Sequence, residues 1–271
     1  MKCLTTFAAL LICAATPAAD LHPIVDVQSG YLFGATADGK WMKAEEAAKA
    51  LTDETTYKMY GLTRSFGEAK GGKPKPSEEN VCSDMLTVPL SQKPDKGVIA
   101  LAGPWNALPR KPQVIDPTQK VYVDAVRDFL KTKGIEHPKV KIDNMIRVDL
   151  DGDGENEVLI SATNYFSKDN RVPMRSPAGS YSMVLLRRMV AGKVETQLIE
   201  GEFYPKAYKA TDDNASFNAP NAYKVIAVLD LDGDGKMEVV VASNYYEGVA
   251  TTIYRCDPKK IEPLLSVGCG A

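Results

Sequence analysis

From residue 140 onward, apolar positions in this chain alternate or run together as strands do, and they do so twice in the same order. Lys141 to Leu150, Glu157 to Phe166, Ser180 to Val190 and Lys193 to Phe203 form one series rich in β-branched and aromatic residues. Tyr223 to Leu231, Glu238 to Tyr246, Ala250 to Cys256 and Ile261 to Val267 form a second. Each unit leaves an apolar face to cover, so the two are expected to pack on one another. Asp169 to Ala178 and Tyr208 to Pro220 are polar and read as loops between strands. Upstream the pattern is mixed. Gly30 to Trp41, with a turn at Ala37-Asp38-Gly39, predicts a hairpin, and Lys43 to Leu51 carries Ala44, Ala47, Ala48 and Leu51 at helical spacing. Thr56 to Leu62, Val81 to Leu90 and Val98 to Leu101 read as strands, and Glu68 to Asn80, rich in Lys, Gly, Pro and Glu, as an exposed loop. Asp116, Pro117 and Gln119 look like an N-cap, a first-turn proline and a capping-box partner. The helix they introduce repeats Tyr122, Ala125, Val126 and Phe129 on one face and can end at Gly134.

Within the repeated series stand two nearly identical acidic loops, DLDGDGENEV from Asp149 and DLDGDGKMEV from Asp230. Carboxylates fall at positions 1, 3, 5 and 9: Asp149, Asp151, Asp153 and Glu157 in the first, Asp230, Asp232, Asp234 and Glu238 in the second. Glycines at positions 4 and 6 allow a tight turn that aims these oxygens at one centre. Four clustered carboxylates repel unless a cation joins them, and an all-oxygen set suits Ca²⁺. The seventh residues, Glu155 and Lys236, differ in charge, which fits positions contributing only a backbone carbonyl. An EF-hand is excluded, because its twelfth position needs a bidentate Glu where this chain has Ile160 and Val241, and strand-like sequence follows each loop.

The loops and flanking strands, roughly Met145 to Tyr165 and Val225 to Tyr246, resemble the FG-GAP or VCBS type repeats of integrin α-chain propellers and secreted bacterial proteins. That resemblance implies that each loop joins two strands of a blade. The expected fold is mainly β, α+β overall: two blade-like antiparallel units with calcium loops over 139–271, preceded by a smaller α+β region over 20–138. Two repeats are fewer than a closed propeller needs.

Residues 1–19 read as a secretory signal peptide, with Lys2 before an apolar run from Leu4 to Ala15 and small residues at Thr16, Ala18 and Ala19. Ile12 before Cys13 is a poor match to a lipoprotein site. No later segment is long and apolar enough to span a membrane. Lys2 is the leader's single charge, so the remainder holds 32 basic against 35 acidic groups. Setting aside the eight loop carboxylates leaves 27 acidic groups and five excess positive charges. No basic stripe stands out, which excludes nucleic acid as an expected partner. Export permits a disulfide among Cys82, Cys256 and Cys269. Three pairings are open, and Cys256 with Cys269 is favoured because they bracket a terminal hairpin.

The two histidines, His22 and His137, lie in no recognisable nucleophile motif. Tyr165-Phe166, Tyr245-Tyr246, Trp105, Tyr204 and Tyr208 are expected to fill the core or its rim, with stacking on sugars or a partner as the alternative. The expected function is therefore that of a secreted or periplasmic calcium-binding protein without enzymatic activity. It would serve as an interaction module for a protein or polysaccharide, with structural calcium sites. The competing reading is a secreted hydrolase stabilised by calcium.

Overall fold

A computed structural model describes residues 20–165, 172–173, 175–206 and 220–270. The proposed leader, Phe166 and Tyr208 lie outside the described residues. In chain order the elements are β1 (His22–Asp26), β2 (Leu32–Ala37), β3 (Lys40–Lys43), α1 (Ala44–Ala50), β4 (Thr55–Tyr60), β5 (Ser65–Gly71), β6 (Lys75–Pro76), β7 (Leu86–Thr87), β8 (Ile99–Leu101) and β9 (Gln113–Val114). There follow α2 (Lys120–Thr132), β10 (Ile142–Val148), β11 (Glu157–Thr163), β12 (Ser180–Val190), β13 (Lys193–Tyr204), β14 (Ala222–Leu229), β15 (Glu238–Tyr245), β16 (Gly248–Asp257) and β17 (Lys260–Gly270). The protein is mainly β, and among the described residues its sheets close into neither a barrel nor a propeller.

Three principal sheets form. The first runs β3-β2-β1-β8-β4-β5, the second β13-β12-β11-β10-β9 and the third β14-β15-β16-β17, every described pairing being antiparallel. The third sheet and the β10–β13 part of the second are meanders, and each acidic loop joins the first two strands of its meander, β10 to β11 and β14 to β15.

Side-chain alternation decides how the sheets stack. In the third sheet Ala227, Leu229, Val240 and Ile253 face a core shared with Ile24, Phe33, Ile99 and Leu101 of the first. Their neighbours Val228, Val239, Val241 and Tyr254 face a core shared with Ile146, Leu159, Val184 and Leu186 of the second. The third sheet is thus the middle layer, buried on both faces, which is why β15 reads as an unbroken Val239-Val240-Val241 run. The outer face of the second sheet packs on Val126 and Leu130 of α2, and that of the first on Ala47 of α1. The two repeated units do share a core, as their exposed apolar faces required.

Three upstream expectations need correction. Val81 to Leu90 is not one strand: Asn80–Cys82 forms a single 3-10 turn, and β7 spans only Leu86–Thr87. Glu68 to Asn80 is not a free loop: β5 and β6 occupy much of it, with Ala69 buried against Tyr57 and Met59 and β6 paired to β7. Nor does Asp116 cap the helix. Its carboxylate accepts the Thr118 amide at 2.8 Å, closing a local turn, and α2 starts after Gln119 without a side-chain cap.

Candidate metal centres

The two acidic loops have the same internal wiring. Asp149 Oδ1 and Oδ2 accept the amides of Gly152 and Gly154 at 2.6 and 3.1 Å, and Asp230 accepts those of Gly233 and Gly235 at 2.7 and 3.1 Å. Asp151 accepts from Asp153 and Asp232 from Asp234, both at 3.3 Å. Asp153 accepts the Glu155 amide and Asp234 the Lys236 amide, both at 2.8 Å. The ninth-position carboxylates reach back, Glu157 Oε2 to the Leu150 amide at 2.8 Å and Glu238 Oε2 to the Leu231 amide at 2.9 Å. Glycine is required at the fourth position, where φ is +82° at Gly152 and +78° at Gly233.

These turns gather oxygens. One carboxylate oxygen each from Asp149, Asp151 and Glu157 lie within 4.8 Å of one another, as do those of Asp230, Asp232 and Asp234. Asp153 and Glu238, the remaining carboxylates, flank their respective groups in the same loops. An oxygen accepting one amide keeps a second lone pair. The donor set, carboxylate oxygens alone, fits a hard divalent cation and offers no soft ligand.

Burial sharpens the need for positive charge. Glu157, Asp230 and Glu238 are buried, Glu238 to 1% exposure. Desolvation, with repulsion from Asp232 next, pushes the Glu238 carboxyl up to about 9. Desolvation likewise raises Glu157, Asp230 and Asp232, in the last case helped by Asp234. Glu238 Oε1 has its nearest cation, the Arg255 Nε, at 3.9 Å.

Each loop has an arginine across the sheet from its ninth residue. Val239 pairs with Tyr254, so the next register step sets Glu238 opposite Arg255, and Val158 pairs with Arg187, which sets Glu157 opposite Arg188. Arg255 Nη2 donates to Asp232 Oδ2 at 2.7 Å. Arg188, 4% exposed, donates to the Cys256 carbonyl at 2.6 Å. The spacing from glutamate to arginine differs between the repeats, so periodicity alone conceals the pair. The second loop is also held by both tryptophans. Trp41 Nε1 donates to Asp232 Oδ2 at 3.2 Å and Trp105 Nε1 to the Asp230 carbonyl at 2.8 Å, with the Trp105 ring lying where a Gly233 Cβ would be, 3.0 Å away. Arg110 fastens the first loop through the Asp149 carbonyl at 2.6 Å.

The cysteine pairing departs from the expectation. Cys82 is bonded to Cys269, Cα to Cα 5.6 Å, and Cys256 is free. Along the β16–β17 hairpin Cys256 faces Ile261 near the turn while Cys269 faces Val249 at the open end, so Cys256 and Cys269 are held apart.

Among the described residues, neither histidine joins the clustered carboxylates. His22 meets the Trp105 ring edge-on at 4.7 Å and contacts the Ala102 carbonyl at 3.1 Å, a packing role, and His137 is exposed. Tyr165 is buried and Trp105 is packed on the second loop, as expected of core and rim aromatics. Among the described residues nothing indicates enzymatic activity. No protein-family model, curated protein or solved structure matches the chain.

Proposed function

We propose that this chain is a calcium-binding protein of the secreted or periplasmic space, non-enzymatic, and that its two ions are architectural. The observation that carries this reading is the repetition of one hydrogen-bonded cage in two loops, each closing on a buried ninth-position glutamate. Side chains of Asp149, Asp151, Asp153 and Glu157 hold one ion, and those of Asp230, Asp232, Asp234 and Glu238 the other. Carbonyls of Glu155 and Lys236 complete the shells. Four carboxylates and a carbonyl nearly fill a calcium shell, leaving little room for a substrate. Both loops lead directly into core strands, so an ion there neutralises charge where β11 and β15 enter the packed layers. Its service is display of a folded surface to a protein or polysaccharide; the leader at 1–19 supports export.

Calcium binding to the native state stabilises it by RT ln(1 + [L]/Kd), about 2.7 kcal/mol at a hundredfold excess over Kd. Asp151→Ala and Asp232→Ala should each reduce the calcium-dependent rise in melting temperature. If chelation leaves melting unchanged yet abolishes binding of a partner, the ions serve recognition and the architectural reading is wrong.

A further inference from the structure

The two loops touch, and the contact joins ligand-bearing positions. The Leu150 amide binds Glu157 at the first site, while the Leu150 carbonyl accepts the Met237 amide at 2.8 Å. Met237 follows Lys236, the seventh residue of the second loop. Movement of Leu150, through the peptide units on either side of its Cα, therefore acts on a carboxylate at one site and on the Lys236–Met237 peptide at the other.

Arg110 spans the same junction. Its Nε donates to the Asp149 carbonyl at 2.6 Å, and its Nη2 to the carbonyls of Leu150 at 3.1 Å and Gly235 at 2.7 Å. Lys236 thus lies between one residue held by Arg110 and another held by Leu150. A guanidinium is always charged, and its rigid fork fixes the directions of its donors. We propose that Arg110 is a positioning residue that couples the two loops, so that a divalent cation bound at the first raises the affinity of the second. The inference rests on the calcium reading above. An ion at the first loop orders Asp149, Leu150 and Glu157, and with them Arg110 and Met237. The second loop then has less ordering left to do when its own ion arrives.

The chain carries its own reporter. Its two tryptophans, Trp41 and Trp105, both hydrogen-bond to the second loop, so intrinsic emission follows the second site. The chelator-treated full chain is titrated with calcium alone. Asp151→Asn removes a charge from the first loop while keeping an acceptor for the Asp153 amide. The calcium concentration at half-maximal emission change should rise about fivefold or more in this variant, and Arg110→Gln should remove most of that difference. Coupling is reciprocal, so Asp232→Asn must weaken the first site by the same factor, read by calorimetry. This arm needs no Arg110 variant to fold.

An unchanged midpoint in Asp151→Asn, with two ions counted on the wild type, overturns the coupling. A shift that persists in a folded Arg110→Gln protein overturns the role of Arg110. Absence of calcium uptake by the wild type instead overturns the underlying calcium reading, and the coupling with it.

Discussion

Trp41 and Asp232 are 191 residues apart in the chain, yet the indole N–H donates to the carboxylate at 3.2 Å. The contact ties the edge strand of the first sheet to the acidic loop of the third. Asp232 uses the same oxygen to accept from Arg255, so its carboxylate is already partly compensated by protein donors. Trp41→Phe keeps an aromatic ring at the position but gives up some packing area along with a hydrogen bond to a charged group, which alone is worth about 1.5–3 kcal/mol. Urea unfolding in chelator should show a lowered midpoint with an unchanged slope. No change would mean that the contact contributes nothing to stability.

The Cys82–Cys269 bond fastens β17 to the short helical turn at Asn80–Cys82, across a sequence separation of 187. In the chain-entropy account a loop of that size stabilises by about 5 kcal/mol, an upper figure because residual structure reduces it. Non-reducing peptide mapping should recover Cys82 linked to Cys269. Cys256, which is half-buried and whose thiol burial raises well above the ordinary cysteine range, should alkylate much more slowly in the folded chain than in the unfolded one. Cys82→Ser should lower the melting temperature, and Cys256→Ser should have much the smaller effect.

A pH dependence follows from the raised carboxyls. Burial pushes the Glu238 carboxyl up to about 9 in the folded chain, against about 4.3 in an unfolded one. The folded state therefore retains a proton that the unfolded state releases. The stability this contributes is complete below about pH 4.3 and is lost as pH rises through about 9. Glu157, Asp230 and Asp232 shift in the same direction. Melting temperature in chelator should fall across this window, and calcium should flatten the slope by compensating the ionised forms. A flat profile in chelator would contradict the account.

Much of this architecture is legible in residue order. The eight strands from β10 to β17 follow local alternation and β-branched content, and the acidic loops declare themselves by spacing. What escapes is long-range. Trp41, Trp105 and Arg110 meet the loops only when distant parts of the fold come together, and Arg255 only when β16 pairs with β15; nothing local marks them. The Arg188 and Arg255 positions become equivalent only through strand register. Ala69, Gly71 and Ser77 lie among exposed polar residues, so their buried positions in and beside β5 and β6 are masked by composition. The disulfide required knowing that β17 returns to the beginning of the fold.

Arg255→Gln leaves the Asp232 and Glu238 carboxylates without their nearby guanidinium. In chelator the variant should be less stable than the wild type by about 1.5–3 kcal/mol. In saturating calcium the difference should shrink, because the ion supplies the missing charge. Parallel denaturation curves in the two conditions decide it; equal losses in both would mean that Arg255 acts through packing alone.

The central claim is that two cages built from Asp149 to Glu157 and Asp230 to Glu238 each take one calcium ion. Isothermal titration of the chelator-treated chain with calcium tests it most directly. Two ions per chain should bind in the wild type, one in Asp151→Ala or Asp232→Ala, and none in the double variant. A wild-type chain that is folded by circular dichroism and takes up no calcium would contradict the claim outright.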